Sequence, residues 1–336
     1  MKNLRDTNGE AGQTTGMNAF QRSSWCVGIL ALCLIVPIAP EIGHAQEHAA
    51  ESNVHIVFSD DTTPYMDFRH GFESSLPESF KALSRFYLDT DAIDPESLDE
   101  QSVILSVGTA ATRWALENTR QTVMASMIPS QSFHRLKAAH PDRQLTALFI
   151  DQPPERHMAL ARSLLPEAEN LAIFSSGLDE GIKVRLAQAA ERVGLTLHFK
   201  SVRSRTETIR AVRATGGNAD ALLILPGSET MPAPSLRALL LHSFREDLPV
   251  IGYSSGLVSA GSVAAIHSVP TKLGEESAEY LQRLLGMNAS EWPPERYPSG
   301  FEVSSNRELA RSLRLPLPSD ATLRQRIQDL ETNNAP

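Results

Sequence analysis

Short runs of β-branched and other apolar residues alternate with stretches of helical spacing almost without a break from Val54 to Met287. A chain patterned this way has few folds open to it: the pattern suits parallel strands joined by crossover helices, with helices covering both faces of each sheet. The runs fall at 54–58, 103–107, 122–127, 145–150, 171–174, 195–199, 221–225, 249–253 and 263–266. Between them, 154–165 places Met158, Leu160, Ala161, Leu164 and Leu165 on one side, and 182–193 does the same with Val184, Leu186, Ala187, Ala190 and Val193. Such stripes are core-packing faces. The alternation pauses at Asp151-Gln152-Pro153-Pro154, where a new strand–helix–strand unit starts. This marks an expected boundary between two lobes. A short strand is expected at 301–303, a helix at 306–313 and a frayed end at 331–336.

The one long apolar run, 25–40 (WCVGILALCLIVPIAP), follows Lys2, Arg5 and Arg22 and leads into Gly43-His44-Ala45-Gln46. It reads as a secretory signal peptide cleaved after Ala45. Pro37 interrupts it, and a permanent anchor needs about 20 apolar residues. The first sixteen residues are long and polar for an n-region, so Met17 is a second candidate for the start. Both cysteines, Cys26 and Cys33, fall inside this segment and follow Trp25 and Leu32, which do not suit a lipid-attachment site. The mature chain therefore lacks thiols, and it is expected in the periplasm with no membrane insertion. About 290 residues remain, enough for two lobes of ordinary size without disulfide staples. The net charge of −9 argues against a nucleic-acid partner, whose site would be basic.

Four segments follow one another in the C-terminal third: Asp220-Ala221-Leu222-Leu223-Ile224-Leu225-Pro226, then Leu248-Pro249-Val250-Ile251-Gly252-Tyr253, then Gly261-Ser262-Val263-Ala264-Ala265, then Leu273-Gly274-Glu275-Glu276-Ser277-Ala278. Further on come Leu284-Leu285-Gly286, Phe301-Glu302-Val303, Asn306, Ala310, Leu313 and Leu315-Pro316-Leu317-Pro318. In this order and spacing they resemble the ABC-transporter substrate-binding family whose better-known members take up aromatic amino acids such as tryptophan. Pro166-Glu167-Ala168-Glu169-Asn170-Leu171 is similar to the joint that opens the second lobe in that family. The resemblance implies a type I periplasmic-binding fold: two Rossmann-like α/β lobes, each a parallel sheet flanked by helices, with a ligand cleft between them. It also implies that the chain enters the second lobe near Asp151, returns near Pro270 so that 274–285 packs on the first, and crosses again near Pro298. The expected division is then 1–45 signal peptide, 46–150 plus about 271–295 N-terminal lobe, and 151–270 plus about 296–336 C-terminal lobe. The implied function is capture of a small ligand for an importer, or the same capture by a sensor or adaptor acting on another partner.

Ligands of open α/β sheets meet the loops at the carboxyl ends of strands. The first such loop offers Asp60, Asp61, Thr63 and Tyr65, where the aspartates suit a cation or ammonium group, or else a helix cap. The next offers Gly108, Thr109 and Ala110, whose N–H groups at a helix start suit a carboxylate, unless the glycine serves only a tight turn. Ser130 and Phe133, Ser176, Ser228 and Glu229, and Tyr253 complete the candidate site, although serines are also ordinary turn formers. Relatives commonly carry an aspartate after the 220–225 strand. Here Gly227 and Ser228 stand there with Glu229 beside them, so the amino-acid ligand that the resemblance implies is in question, and another small polar or carboxylate solute fits as well. His55 and His267 adjoin strands and are able to approach the cleft, although a histidine there is more often a hydrogen-bonding or surface residue than a catalyst. There is no H-E-x-x-H, G-x-S-x-G or phosphate-loop motif, so neither catalysis nor a metal or organic cofactor is expected.

Overall fold

A computed structural model describes residues 54–227 and 233–333, so the expected signal segment and its cleavage site lie outside the described residues. The strands are β1 (Val54–Phe58), β2 (Ser84–Tyr87), β3 (Val103–Val107), β4 (Thr122–Ile128), β5 (Leu145–Phe149), β6 (Asn170–Ser175), β7 (Thr196–Ser201), β8 (Ala221–Leu223), β9 (Val250–Gly252), β10 (Ala264–His267) and β11 (Glu302–Ser305). The helices are α1 (Thr63–Ser75), α2 (Glu78–Leu83), α3 (Thr109–Asn118), α4 (Ser130–Ala139), α5 (Pro154–Leu164), α6 (Glu180–Arg192), α7 (Arg205–Thr215), α8 (Ala233–Arg245), α9 (Ser255–Ala260), α10 (Pro270–Leu285), α11 (Arg307–Ser312) and α12 (Asp320–Asn333).

The strands form a five-stranded sheet in the order β2-β1-β3-β4-β5 and a six-stranded sheet in the order β11-β10-β9-β8-β6-β7. Pairing is parallel except between β10 and β11. The second sheet thus repeats the strand order of the first and adds one antiparallel strand. Each sheet changes winding direction beside its first strand, between β1 and β3 and between β6 and β8, which opens a crevice at the carboxyl ends of those strands. β1, β3 and β5 are buried along their whole length. That is why they read as unbroken apolar runs, since each face is covered by a helical layer.

Two elements escape the expected pattern. β2 is an edge strand paired only with β1, and its residues are mostly half-buried, so only Phe86 and Tyr87 carry an apolar signal. α12 follows a proline-rich stretch that reads as a tail. Yet Leu323 and Ile327, four apart, are fully buried in a core shared with α5 residues, and Leu330 packs against that core from the next turn.

α10 packs on α1 with almost no space between backbones. A Cβ on Gly274 would lie 2.1 Å from the Phe68 carbonyl oxygen, and one on Gly71 would lie 1.9 Å from that of Thr271. Below this contact Phe68 and Phe72 stack at 6.1 Å in the core of the first sheet.

The chain passes between the sheets three times: from β5 to α5, from β10 to α10, and through 297–301 into β11. Just before the third passage Arg296 bridges Leu148, covering the open edge of β5. One polar network ties these passages together. Ser268 Oγ donates to the Ile150 carbonyl (2.6 Å) and accepts from Gln152 Nε2 (2.8 Å), which also donates to the Gly300 carbonyl (3.3 Å). Arg156 donates from Nη1 to Gln152 Oε1 (2.6 Å) and the Pro298 carbonyl (2.9 Å), and from Nη2 to the Ser299 carbonyl (2.9 Å). Its Nε pairs with Glu331 on α12 at 2.6 Å, and its guanidinium lies over the Phe301 ring.

Gly274→Ala is expected to force α10 off α1 and to cost roughly 1–3 kcal/mol or more, read as a lowered melting temperature. Gln152→Leu keeps much of the volume but removes one hydrogen-bond partner each from Arg156, Ser268 and the Gly300 carbonyl, and should cost about 2 kcal/mol in denaturant unfolding. A neutral result for Gln152→Leu would mean that the network does not hold the passages together.

Candidate ligand-binding cleft

Between the two sheets lies a cavity of about 730 Å³. From the first sheet its wall takes Pro64 and Tyr65 of α1, Thr109 of α3, Met127 and Pro129 at the end of β4, and Ile150 and Asp151 after β5. From the second it takes Pro226, Gly227 and the 253–256 turn, and the β10-to-α10 passage, 267–270, closes one side. Both walls are therefore built at the carboxyl ends of strands.

The turn from β3 into α3 is held by close contact. Gly108 has a φ of +95°, and a Cβ there would sit 2.6 Å from Ser59 Oγ and 2.7 Å from the Tyr65 hydroxyl oxygen. Ser59 Oγ accepts from the Ala111 N–H at 2.8 Å and also hydrogen-bonds the Tyr65 hydroxyl. Burial pushes the Tyr65 and Tyr253 phenols above the usual value, Tyr65 with help from the Asp60 charge. At the end of β4 the register shifts between Ser126 and Ile128, and Met127 takes a φ of +49°. This left-handed conformation is costly for a residue with a side chain, and it occurs where Met127 forms part of the cavity wall.

Asp151 is the carboxylate of the wall. Its Oδ1 accepts from the Ser130 N–H (2.8 Å) and its Oδ2 from the Ser130 hydroxyl (2.5 Å), which occupies the N-terminus of α4. Burial outweighs these bonds and pushes its pKa up to about 6. Behind it lies a void of about 20 Å³ reached by His157, Gln131 and Tyr297. Burial pushes His157 down to about 4, and neither of its ring nitrogens has a hydrogen-bond partner. Gln131 on α4 donates to the Gly177 carbonyl after β6, a hydrogen bond between elements of the two sheets outside the cavity wall.

Of the residues singled out in the sequence, Tyr65, Thr109 and Tyr253 line the cavity and Ser130 lines the small void beside it. Asp60 spends Oδ1 on the Thr62 N–H (2.7 Å) in an exposed turn, while Asp61 and Thr63 are exposed and form no part of the wall. Gly108 serves the tight turn, and Ala110 and Ser176 stand outside the wall. Phe133 is a correction: it is fully buried in the core, edge-on to Phe149 with centroids 5.4 Å apart, because this part of α4 faces the sheet and not the cleft. His55 is held inside the first sheet, with Nδ1 3.2 Å from the Tyr87 hydroxyl. His267 does reach the wall. Ser228 and Glu229 lie outside the described residues. The sequence pattern does not single out Asp151 or Met127. Asp151 directly follows the 145–150 run, so the end-of-strand rule points to it, but its neighbourhood reads as a linker.

The raised Asp151 pKa sets a sign. The folded state holds this proton more tightly than the unfolded chain, whose carboxyl titrates near the ordinary 3.8, so the group lowers stability as pH rises from about 4 to about 6. Asp151→Asn is therefore expected to compare better with the parent protein at pH 8 than at pH 4.5 in ligand-free thermal melts. An equal difference at both pH values would contradict the assignment.

A family model described as ABC transporter substrate binding protein matches residues 101–319, more than half of the chain. Among solved structures, a ligand-free, open form of CD0873 from Clostridium difficile, a substrate-binding protein with adhesive properties, is similar at 17% identity and TM-score 0.62, covering 80% of this chain and 97% of that one. An ABC domain from Streptococcus pneumonia in complex with L-Trp is similar at 14% identity and TM-score 0.59, with 82% and 98% covered. A conserved domain protein from Vibrio cholerae is similar at 16% identity and TM-score 0.59, with the same coverages. No curated protein matches the chain. Among the described residues no helix is long and apolar enough to cross a membrane. The architecture is that of the type I periplasmic-binding fold, and the chain belongs to the ABC transporter substrate-binding protein family.

Proposed function

We propose that the protein captures a small solute between its two lobes and hands it to an ABC-type importer, without chemistry of its own. The observation that carries this reading is the cavity of about 730 Å³ built from strand ends of both sheets, within the size range of small-molecule sites. On this reading 46–150 with about 271–295 forms one lobe and 151–270 with about 296–336 the other. Membership of a family that is typically exported supports a periplasmic location reached through the 25–40 segment and cleavage after Ala45. The lobes hinge at the three passages, and Tyr65, Thr109 and Asp151 meet the ligand before Tyr253 and the 254–256 turn close over it. Closure removes water and so strengthens the polar contacts that select the ligand.

A thermal-shift screen of the purified protein against amino acids, amines, carboxylates, purines, sugars and peptides tests the reading. A solute at 100 times its dissociation constant adds about 2.7 kcal/mol to the folded state. Tyr253→Ala should reduce that shift without unfolding the protein. Silence across a broad library from protein shown to be folded and ligand-free would instead favour an adaptor that binds a macromolecular partner.

A further inference from the structure

The charge balance of the cleft is one-sided. Among the described residues, no lysine or arginine lines the cavity, and Asp151 is its carboxylate. The exposed Arg185 on α6 acts on Asp151 electrostatically, as the smallest of the influences on it, and does not form part of the wall. His267 is engaged through both nitrogens, with the Ser268 carbonyl at 3.2 Å and the Ser304 hydroxyl at 2.9 Å.

Helix starts around the cavity are the other usual source of anion donors, and four of their N–H groups are already used. The Ala111 N–H of α3 goes to Ser59 Oγ, and that of Thr112 to the Gly108 carbonyl. The first N–H of α4 goes to Asp151 itself. The Leu257 N–H of α9 goes to Ser254, and α10 opens on Pro270, which has no N–H. A ligand carboxylate would enter beside the like charge of Asp151 with no lysine or arginine among the described wall residues to offset its desolvation. An ammonium group would find in the same wall Asp151, as a carboxylate able to accept further hydrogen bonds, and the aromatic residues Tyr65 and Tyr253. The rest of the wall, including Met127, Ile150, Pro226 and Val269, suits an apolar body.

We propose that the ligand is an organic amine, an apolar or aromatic body whose ammonium group pairs with Asp151 and which carries no carboxylate. This rests on the reading of the cleft as a solute site and names the class of solute it selects.

Titration calorimetry of the purified protein with phenethylamine, tyramine and tryptamine, each against its amino acid (L-phenylalanine, L-tyrosine, L-tryptophan) and against phenylacetate and indole-3-acetate, decides the matter. The expected result is at least one amine binding about tenfold or more tighter than its amino acid and the acids, the scale of one charge-assisted hydrogen bond formed or one like charge opposed. Asp151→Asn should weaken that amine by a similar factor while leaving binding of the neutral 2-phenylethanol unchanged. If that variant does not fold, the comparison within the parent protein still stands. An amino acid or acid binding more tightly than its amine overturns the proposal and leaves the cleft reading intact. Failure of every probe also overturns it, and the broad thermal-shift screen then shows whether the cleft reading falls as well.

Discussion

The Gln152 amide, the Ser268 hydroxyl and the Arg156 guanidinium hold together the three places where the chain changes sheets. Gln152 and Arg156 are buried and Ser268 half-buried, and the partners they find lie on different passages: Ile150 on the first, Ser268 on the second, Pro298 to Gly300 on the third. A buried network of this kind is stabilising when complete and costly when one member is missing. Because Arg156 also reaches Glu331 on α12, the last helix of the described chain is fastened to the same point as the first passage. The facing strand ends, and with them the cleft, inherit their spacing from this junction.

Around the cleft, the polar groups near the wall are largely committed to structure. Ser59 fixes α3 and Tyr65, Ser130 fixes Asp151, and Ser254 caps α9. The side chains left facing the space are mainly apolar, with one buried acid among them. Apolar walls supply most of the affinity of such sites, and a few placed polar groups supply orientation. The strained backbone at Met127 fits this division, since a register shift in β4 is what brings a flexible apolar side chain into the wall.

How much of this is legible in the sequence follows from which interactions are local. Strands buried on both faces announce themselves as apolar runs, and the expected sheets appear with boundaries shifted by a residue or two. β2 is silent because an edge strand needs only one apolar face, and α12 because its Leu323, Ile327 and Leu330 spacing sits behind the turn signals of Pro293, Pro294, Pro298, Pro316 and Pro318. For the site, the end-of-strand rule selects loops and not side chains. It does not tell that Asp60 is consumed two residues away by the Thr62 N–H, or that Phe133 turns inward. Nor does it reveal Asp151, whose orientation comes from Ser130, twenty-one positions earlier in the chain.

The close approach of α1 and α10 at Gly71 and Gly274 has a mechanical meaning. Helices separated by side chains can slide as those side chains change rotamer, but backbone resting on backbone has no such give. α10 is in this sense an extension of the first lobe's frame, welded along its opening turns. Any swing of the second lobe must then be absorbed in the two residues between β10 and α10, Ser268 and Val269, and in the stretches beside them, 150–153 and 297–301. A pivot so short permits rotation and very little translation, so on the proposed reading the two walls of the cleft would approach each other along one arc.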